Sequence, residues 1–117
     1  MAGLRDVVQG LLQRDGVDAV VVISGDGLTI DHATRNGLDT ETIAALIPGL
    51  AQNARRLGAA ATRGDLSTGV LEFGAGLAIF TDLGQNNLLL VLVQPNTNVG
   101  ALLFDLRRHR PAISQLL

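Results

Sequence analysis

The sequence predicts an α+β domain: a single five-stranded antiparallel sheet with helices on both faces, in the order α-β-β-α-β-β-β-α. Three observations predict it. The segments Val17 to Ser24 and Asn87 to Gln94 are aliphatic on both of their alternating faces, and such strands need cover on both sides of their sheet. The helical segments instead carry apolar stripes with polar residues opposite. Between the extended segments lie short glycine-bearing connections, which fold neighbouring strands back on one another as hairpins. With 117 residues the chain is read as one domain, 1–117. That length buries roughly two-thirds of the unfolded surface without staples.

The first helix rests on Leu4, Val7, Val8, Leu11 and Leu12, spaced as one stripe opposite Arg5, Asp6, Gln9 and Gln13, and Asp15-Gly16 stops it. The first strand places Ala19, Val21 and Ile23 on one face and Val20 and Val22 on the other. Ser24-Gly25-Asp26-Gly27 turns it into a second strand, Leu28 to Ala33, with Leu28 and Ile30 on one face and Thr29 and Asp31 on the other. Gly25 and Gly27 are expected to supply positive φ in that turn. Asp39 or Thr40 caps the second helix, about Glu41 to Ala60, with Glu41 favoured in its first turn. The stripe Ile43, Ile47, Leu50, Ala54 and Leu57 is expected to face the sheet, and Pro48 to kink the helix. A second stripe of mostly small residues, Ala44, Ala45, Pro48, Gly49, Ala51 and Gln52, lets another backbone approach closely.

Three strands follow, Leu66 to Phe73, Leu77 to Leu83 and Asn87 to Gln94, joined by Gly74-Ala75-Gly76 and Gly84-Gln85-Asn86 as a meander. The last, apolar on both faces, belongs well inside the sheet. Asn98 or Thr97 caps a final helix built on Val99, Leu102, Leu103 and Leu106, which Pro111 is expected to end.

Composition narrows function. The chain is 47% hydrophobic and 17% charged, which excludes disorder and leaves apolar surface to bury against another chain. There is no cysteine, hence no disulfide and no thiolate chemistry. A net charge of −2 argues against general nucleic-acid binding. All nine basic residues are arginine, which removes lysine-based mechanisms. Arg5, Asp6, Arg14 and Asp15 interrupt the N-terminal apolar run, so neither a signal peptide nor a membrane span is read there; the expectation is a cytoplasmic protein without membrane insertion.

Candidate chemistry is sparse. A phosphate loop would lead from glycines into a helix, whereas Ser24-Gly25-Asp26-Gly27 returns to a strand. A calcium loop needs several carboxylates, and only Asp26 is present. His32 and His109 lack metal-ligand spacing. The serines Ser24, Ser67 and Ser114 have no supporting base, and Glu41 and Glu72 make no catalytic pair. No catalytic, cofactor-binding or metal site is therefore assigned. Arg107-Arg108-His109-Arg110 reads as a solvated helix end, and Arg55-Arg56 as either an exposed face or a partner contact.

The order of these parts resembles the roadblock (dynein light chain) family, of profilin-like architecture. The resemblance is carried by LRDVVQGLLQRDGVDAVVVISGDGLTIDH, TIAALIPGLAQNARRLG and NNLLLVLVQPNTNVGALLFDLRR, about residues 3 to 108. It implies a homodimer in which second helices pack together and third strands pair, through Ala45, Pro48, Gly49, Gln52, Ser67, Thr68 and Val70. Arg55 and Arg56 are the partner-binding candidates. The resemblance further implies a platform for Ras-like small GTPases; bacterial members similar to MglB stimulate an MglA-like GTPase by repositioning its own residues. No active site of the chain's own is expected. The alternatives are a structural adaptor without effect on nucleotide turnover, or a small-molecule sensor. The sensor reading is weakened by the presence of only three aromatics, Phe73, Phe80 and Phe104.

Overall fold

The computed structural model describes residues 3–117. Its elements are α1 (Leu4–Leu12), β1 (Val17–Ile23), β2 (Thr29–Thr34), α2 (Thr40–Ala60), β3 (Thr68–Phe73), β4 (Gly76–Gly84), β5 (Asn87–Val93) and α3 (Val99–Ser114). The strands form one five-stranded antiparallel sheet in the order β2-β1-β5-β4-β3. The two strands that are apolar on both faces, β1 and β5, lie side by side inside the sheet, and β5 is central.

The alternation in β1 divides the core as the sequence requires. Val20 and Val22 join Ile79, Leu89 and Val91 beneath α1 and α3, which contribute Val8, Leu12, Leu102, Leu106 and Ile113. Val21 and Ile23 join Phe80, Leu88 and Leu90 on the opposite face, beneath α2. Arg35 ties α1 to β1, its guanidinium donating to the Val17 carbonyl at 2.9 Å and to that of Leu12. Arg14 pairs with Asp105 and so joins α1 to α3.

The first hairpin closes through Ser24 N–H to the Leu28 carbonyl and Gly27 N–H to the Ser24 carbonyl, both 2.9 Å. Gly27 has φ +80°, as its turn position demands. Gly25 is not at positive φ. It is constrained instead by close approach, because a Cβ there would lie 2.8 Å from Asn86 Cβ in the β4–β5 turn.

Asp39 caps α2, its carboxylate accepting from Thr42 N–H at 3.2 Å and from the Thr42 hydroxyl at 2.6 Å. Those bonds, the hydroxyl first, hold the Asp39 carboxyl below its usual range. Asn98 caps α3 by accepting from Ala101 N–H at 3.2 Å. The expectation that Pro111 ends this helix is overturned: α3 runs through it to Ser114. Beyond the proline, Ile113 is buried against the sheet and the Ser114 hydroxyl donates to the Leu83 carbonyl, so tertiary anchors offset the lost backbone hydrogen bond. Arg107 to Arg110 accordingly lie within the helix rather than at its last turn.

Candidate protein-interaction surface

Helix α2 lies very close to the first hairpin. A Cβ on Gly27 would stand 3.3 Å from Ala45 Cα, so there is no room there for large side chains. On α2, Ala44 and Ala45 make that contact. The buried residues are Thr40, Ala44, Ile47 and Ala51, with Ile43 partly buried against the same cluster. The expected sheet-facing stripe is thus corrected: Ile47 faces the strands, but Leu50 and Leu57 are 41% and 70% exposed. Two of the small residues, Ala44 and Ala51, take the inward places.

With Leu46, 65% exposed, these leucines form a stripe at i, i+4 and i+11 along one flank of α2. The sequence reading missed Leu46 altogether. It also missed Phe73, 60% exposed at the end of β3. Between this flank and β3, the partly buried side chains of Leu71 and Leu92 pack against the core cluster beneath α2. A large apolar area of this kind on a small domain marks a surface that another molecule covers.

The predicted interface residues fall in two groups. Pro48, Gly49 and Gln52 line a cleft of about 360 Å³ with Arg55, Gly25 and Asn86, on the flank of α2 nearer the β1–β2 and β4–β5 turns. Ala45 is exposed on the same outer side of the helix. Ser67, Thr68 and Val70 lie before and along the edge strand β3. Ser67 is largely engaged within the subunit. Its carbonyl accepts from Asp82 N–H at 3.0 Å and from the Thr81 hydroxyl at 3.0 Å, and its hydroxyl accepts from Arg110 at 2.7 Å. The Thr68 hydroxyl meets that of Thr81 at 3.1 Å, whereas Val70 is exposed.

The two candidate arginines differ. Arg55 is committed to Asp82, Nη2 to Oδ1 3.2 Å, which ties α2 to β4. Arg56 is exposed, and it has no ion-pair partner among the described residues.

Among the described residues, no group of three or more His, Asp or Glu stands close enough to hold a metal ion, and no helix is long and apolar enough to cross a membrane. What the surface can do is bind. It offers aliphatic side chains on a rigid helix beside a strand edge whose backbone groups lack neighbours.

Known proteins share this fold. The sequence profile of the Roadblock/LC7 domain matches residues 4–93. No curated protein sequence matches the chain. Among solved structures, a Roadblock/LC7 domain from Streptomyces avermitilis superposes with a TM-score of 0.85 at 24% identity, covering 96% of this chain and 95% of that one. MglB of Myxococcus xanthus superposes with a TM-score of 0.86 at 17% identity, covering 97% and 93%. An MglB described in a tetrameric arrangement gives a TM-score of 0.86 at 15% identity, covering 97% and 86%. At these identities the likeness is one of fold.

Proposed function

The chain belongs to the Roadblock/LC7 domain family, and from that premise we propose that it works as a homodimer offering a platform to a Ras-like small GTPase of the MglA type. The observation that carries the reading is the uncovered leucine flank of α2, Leu46, Leu50 and Leu57, beside the open edge strand β3. Two copies related by a two-fold axis would pack these flanks together, with Ala45, Pro48, Gly49 and Gln52 at the margin of the contact. Their β3 strands would pair through Thr68 and Val70 into one continuous sheet. Full burial of a leucine or phenylalanine is worth roughly 1.5–3 kcal/mol. Scaled by their exposure, Leu46, Leu50, Leu57 and Phe73 from both copies supply about 7–14 kcal/mol, comparable with an association cost on the order of 4–15 kcal/mol. The tetrameric MglB lends support by showing that this fold assembles.

In this reading the outer face of the paired α2 helices, with Arg56 exposed on it, meets the GTPase. The dimer contributes no catalytic group. It binds the hydrolysis-competent arrangement of the GTPase's switch segments in preference to others, and stimulation follows from that differential affinity alone.

The test is to mix the purified protein with the Ras-like GTPase encoded nearest to it. A complex on a sizing column together with faster hydrolysis supports the reading. A complex without any change in hydrolysis or nucleotide affinity assigns the adaptor role instead. With neither complex nor rate change, the GTPase reading is wrong.

A further inference from the structure

The two edges of the sheet differ in what their outward backbone groups meet. On β2, Arg35 N–H donates to the Asp18 carbonyl at 2.9 Å, which sets the parity of the ladder. Asp31 and Ala33 therefore bond to β1, and His32 and Thr34 turn their N–H and C=O groups outward, an alternation that ends at Ile30, where the register shifts opposite Val22 and Ile23. At His32 both outward groups are occupied. The N–H donates to Asp31 Oδ1 at 2.8 Å, and the carbonyl accepts from Arg5 Nη1 at 2.8 Å. Arg5 Nη1 also donates to Asp31 Oδ1 at 2.8 Å, closing a clasp between α1 and β2.

On β3, Asp82 N–H donates to the Ser67 carbonyl, so Thr68, Val70 and Glu72 turn outward. No side chain among the described residues reaches their backbone groups. Both edges carry exposed apolar side chains, Val70 and Phe73 on β3 and Ile30 with neighbouring Leu28 on β2. By side chains alone both would accept a strand. By backbone, β3 is open along its row and β2 is blocked at His32.

We infer that β2 is a second strand-acceptor edge, complementary to another copy of this chain, held shut by the Arg5–Asp31 clasp on His32. Antiparallel pairing about a two-fold axis brings the outward groups of His32 and Thr34 against the same groups of the second copy. The clasp fills the positions at His32 and leaves an incoming strand nothing to bond there. Its effect is on assembly. A subunit with both edges open carries two different two-fold interfaces at opposite ends of one sheet, and such a body grows into an open chain instead of stopping at a pair. The consequence for chain growth rests on the reading that β3 pairs in the dimer; the clasp itself does not.

Amide exchange and mass measurement test it together. In the wild-type protein the His32 amide, on an edge without a neighbouring strand, should exchange roughly tenfold or more slowly than the outward amide of Thr34. Exchange as fast as that of Thr34 overturns the clasp. In Arg5→Ala/Asp31→Thr, light scattering should show a mass above wild type that rises with concentration. Adding His32→Pro, which removes an outward N–H and no ladder bond, should return the mass to the wild-type value. A mass unchanged by opening the clasp, or extra association that survives His32→Pro, overturns the inference. If the wild-type chain is a monomer, the β3 reading fails separately, and the clasp-free variant should still pair through β2.

Discussion

On one face of the sheet, α1 and α3 close over Val20, Val22, Ile79, Leu89 and Val91, and their own Val8, Leu12, Leu102 and Leu106 are buried with them. On the other, α2 meets the strands with Ala44, Ile47 and Ala51 and holds Leu46, Leu50 and Leu57 in solvent. Both helical layers are rich in leucine, yet the first spends its leucines inside the subunit and the second presents them outside. The close contact of α2 is with the turn of the first hairpin, where Gly27 meets Ala44 and Ala45. Where α2 crosses the first hairpin, its small residues make the contact and its large ones are turned aside. The first face is covered within one chain, and the second keeps a row of leucines in solvent.

Substitutions of the same kind on the two faces should separate them. Leu106→Ala opens a cavity in the completed face and should cost about 2–5 kcal/mol of stability in urea unfolding. Leu50→Ala should change the stability of the isolated subunit by no more than about 0.5 kcal/mol. Equal losses would mean that the α2 face is as closed as the other.

A smaller loss is expected at Gly69, on β3, where an added Cβ would run into the Phe80 ring beneath the open face. Gly69→Ala should cost about 1–3 kcal/mol by forcing that ring aside. A melting temperature equal to wild type would show that the face gives way easily.

Asp39 tests the anchoring of α2 through pH. Its carboxyl is held below the ordinary range by the Thr42 hydroxyl and N–H. A depressed folded-state value stabilises the fold above the unfolded value of about 3.9, and the stabilisation disappears as pH falls through the folded one. Asp39→Ala should therefore lower the melting temperature at neutral pH, with the difference from wild type shrinking below about pH 4. A difference that stays constant into acid would remove the charged cap from the account.

The smallest effects separate the two arginines. Arg55→Ala removes a half-exposed ion pair to Asp82 and should cost at most about 1 kcal/mol, less in high salt. Arg56→Ala should leave stability unchanged within about 0.5 kcal/mol and weaken any complex with the GTPase. The reverse pattern would exchange their roles.

The sheet was legible because its signals are local. Double-sided β1 and β5, hairpins with glycine at turn positions, and the caps at Asp39 and Asn98 each follow from a few neighbouring residues. The faces of α2 were not legible, because periodicity ranks residues by size. Leu50 and Leu57 look like core until the inward side of α2, marked by Ala44, Ile47 and Ala51, is known. Pro111 misled for a related reason: its local tendency to end a helix is outweighed by Ile113 and Ser114, whose contacts with the sheet lie far away in sequence. Gly25 was recognised as a necessary glycine, but the necessity comes from Asn86, sixty-one residues further along the chain. The Arg5–Asp31 clasp joins a helix and a strand that sequence reading could place but not bring together.

The most direct test of the account is the mass of the protein in solution beside that of Leu50→Arg, measured by sedimentation equilibrium over a wide concentration range. The account predicts two chains for the wild type. For the variant it predicts one chain with an unchanged circular-dichroism spectrum, because a charge on the leucine flank is solvated in the monomer and buried unpaired in the pair. A wild type that stays a single chain at every concentration, or a Leu50→Arg protein that remains a pair, would contradict it.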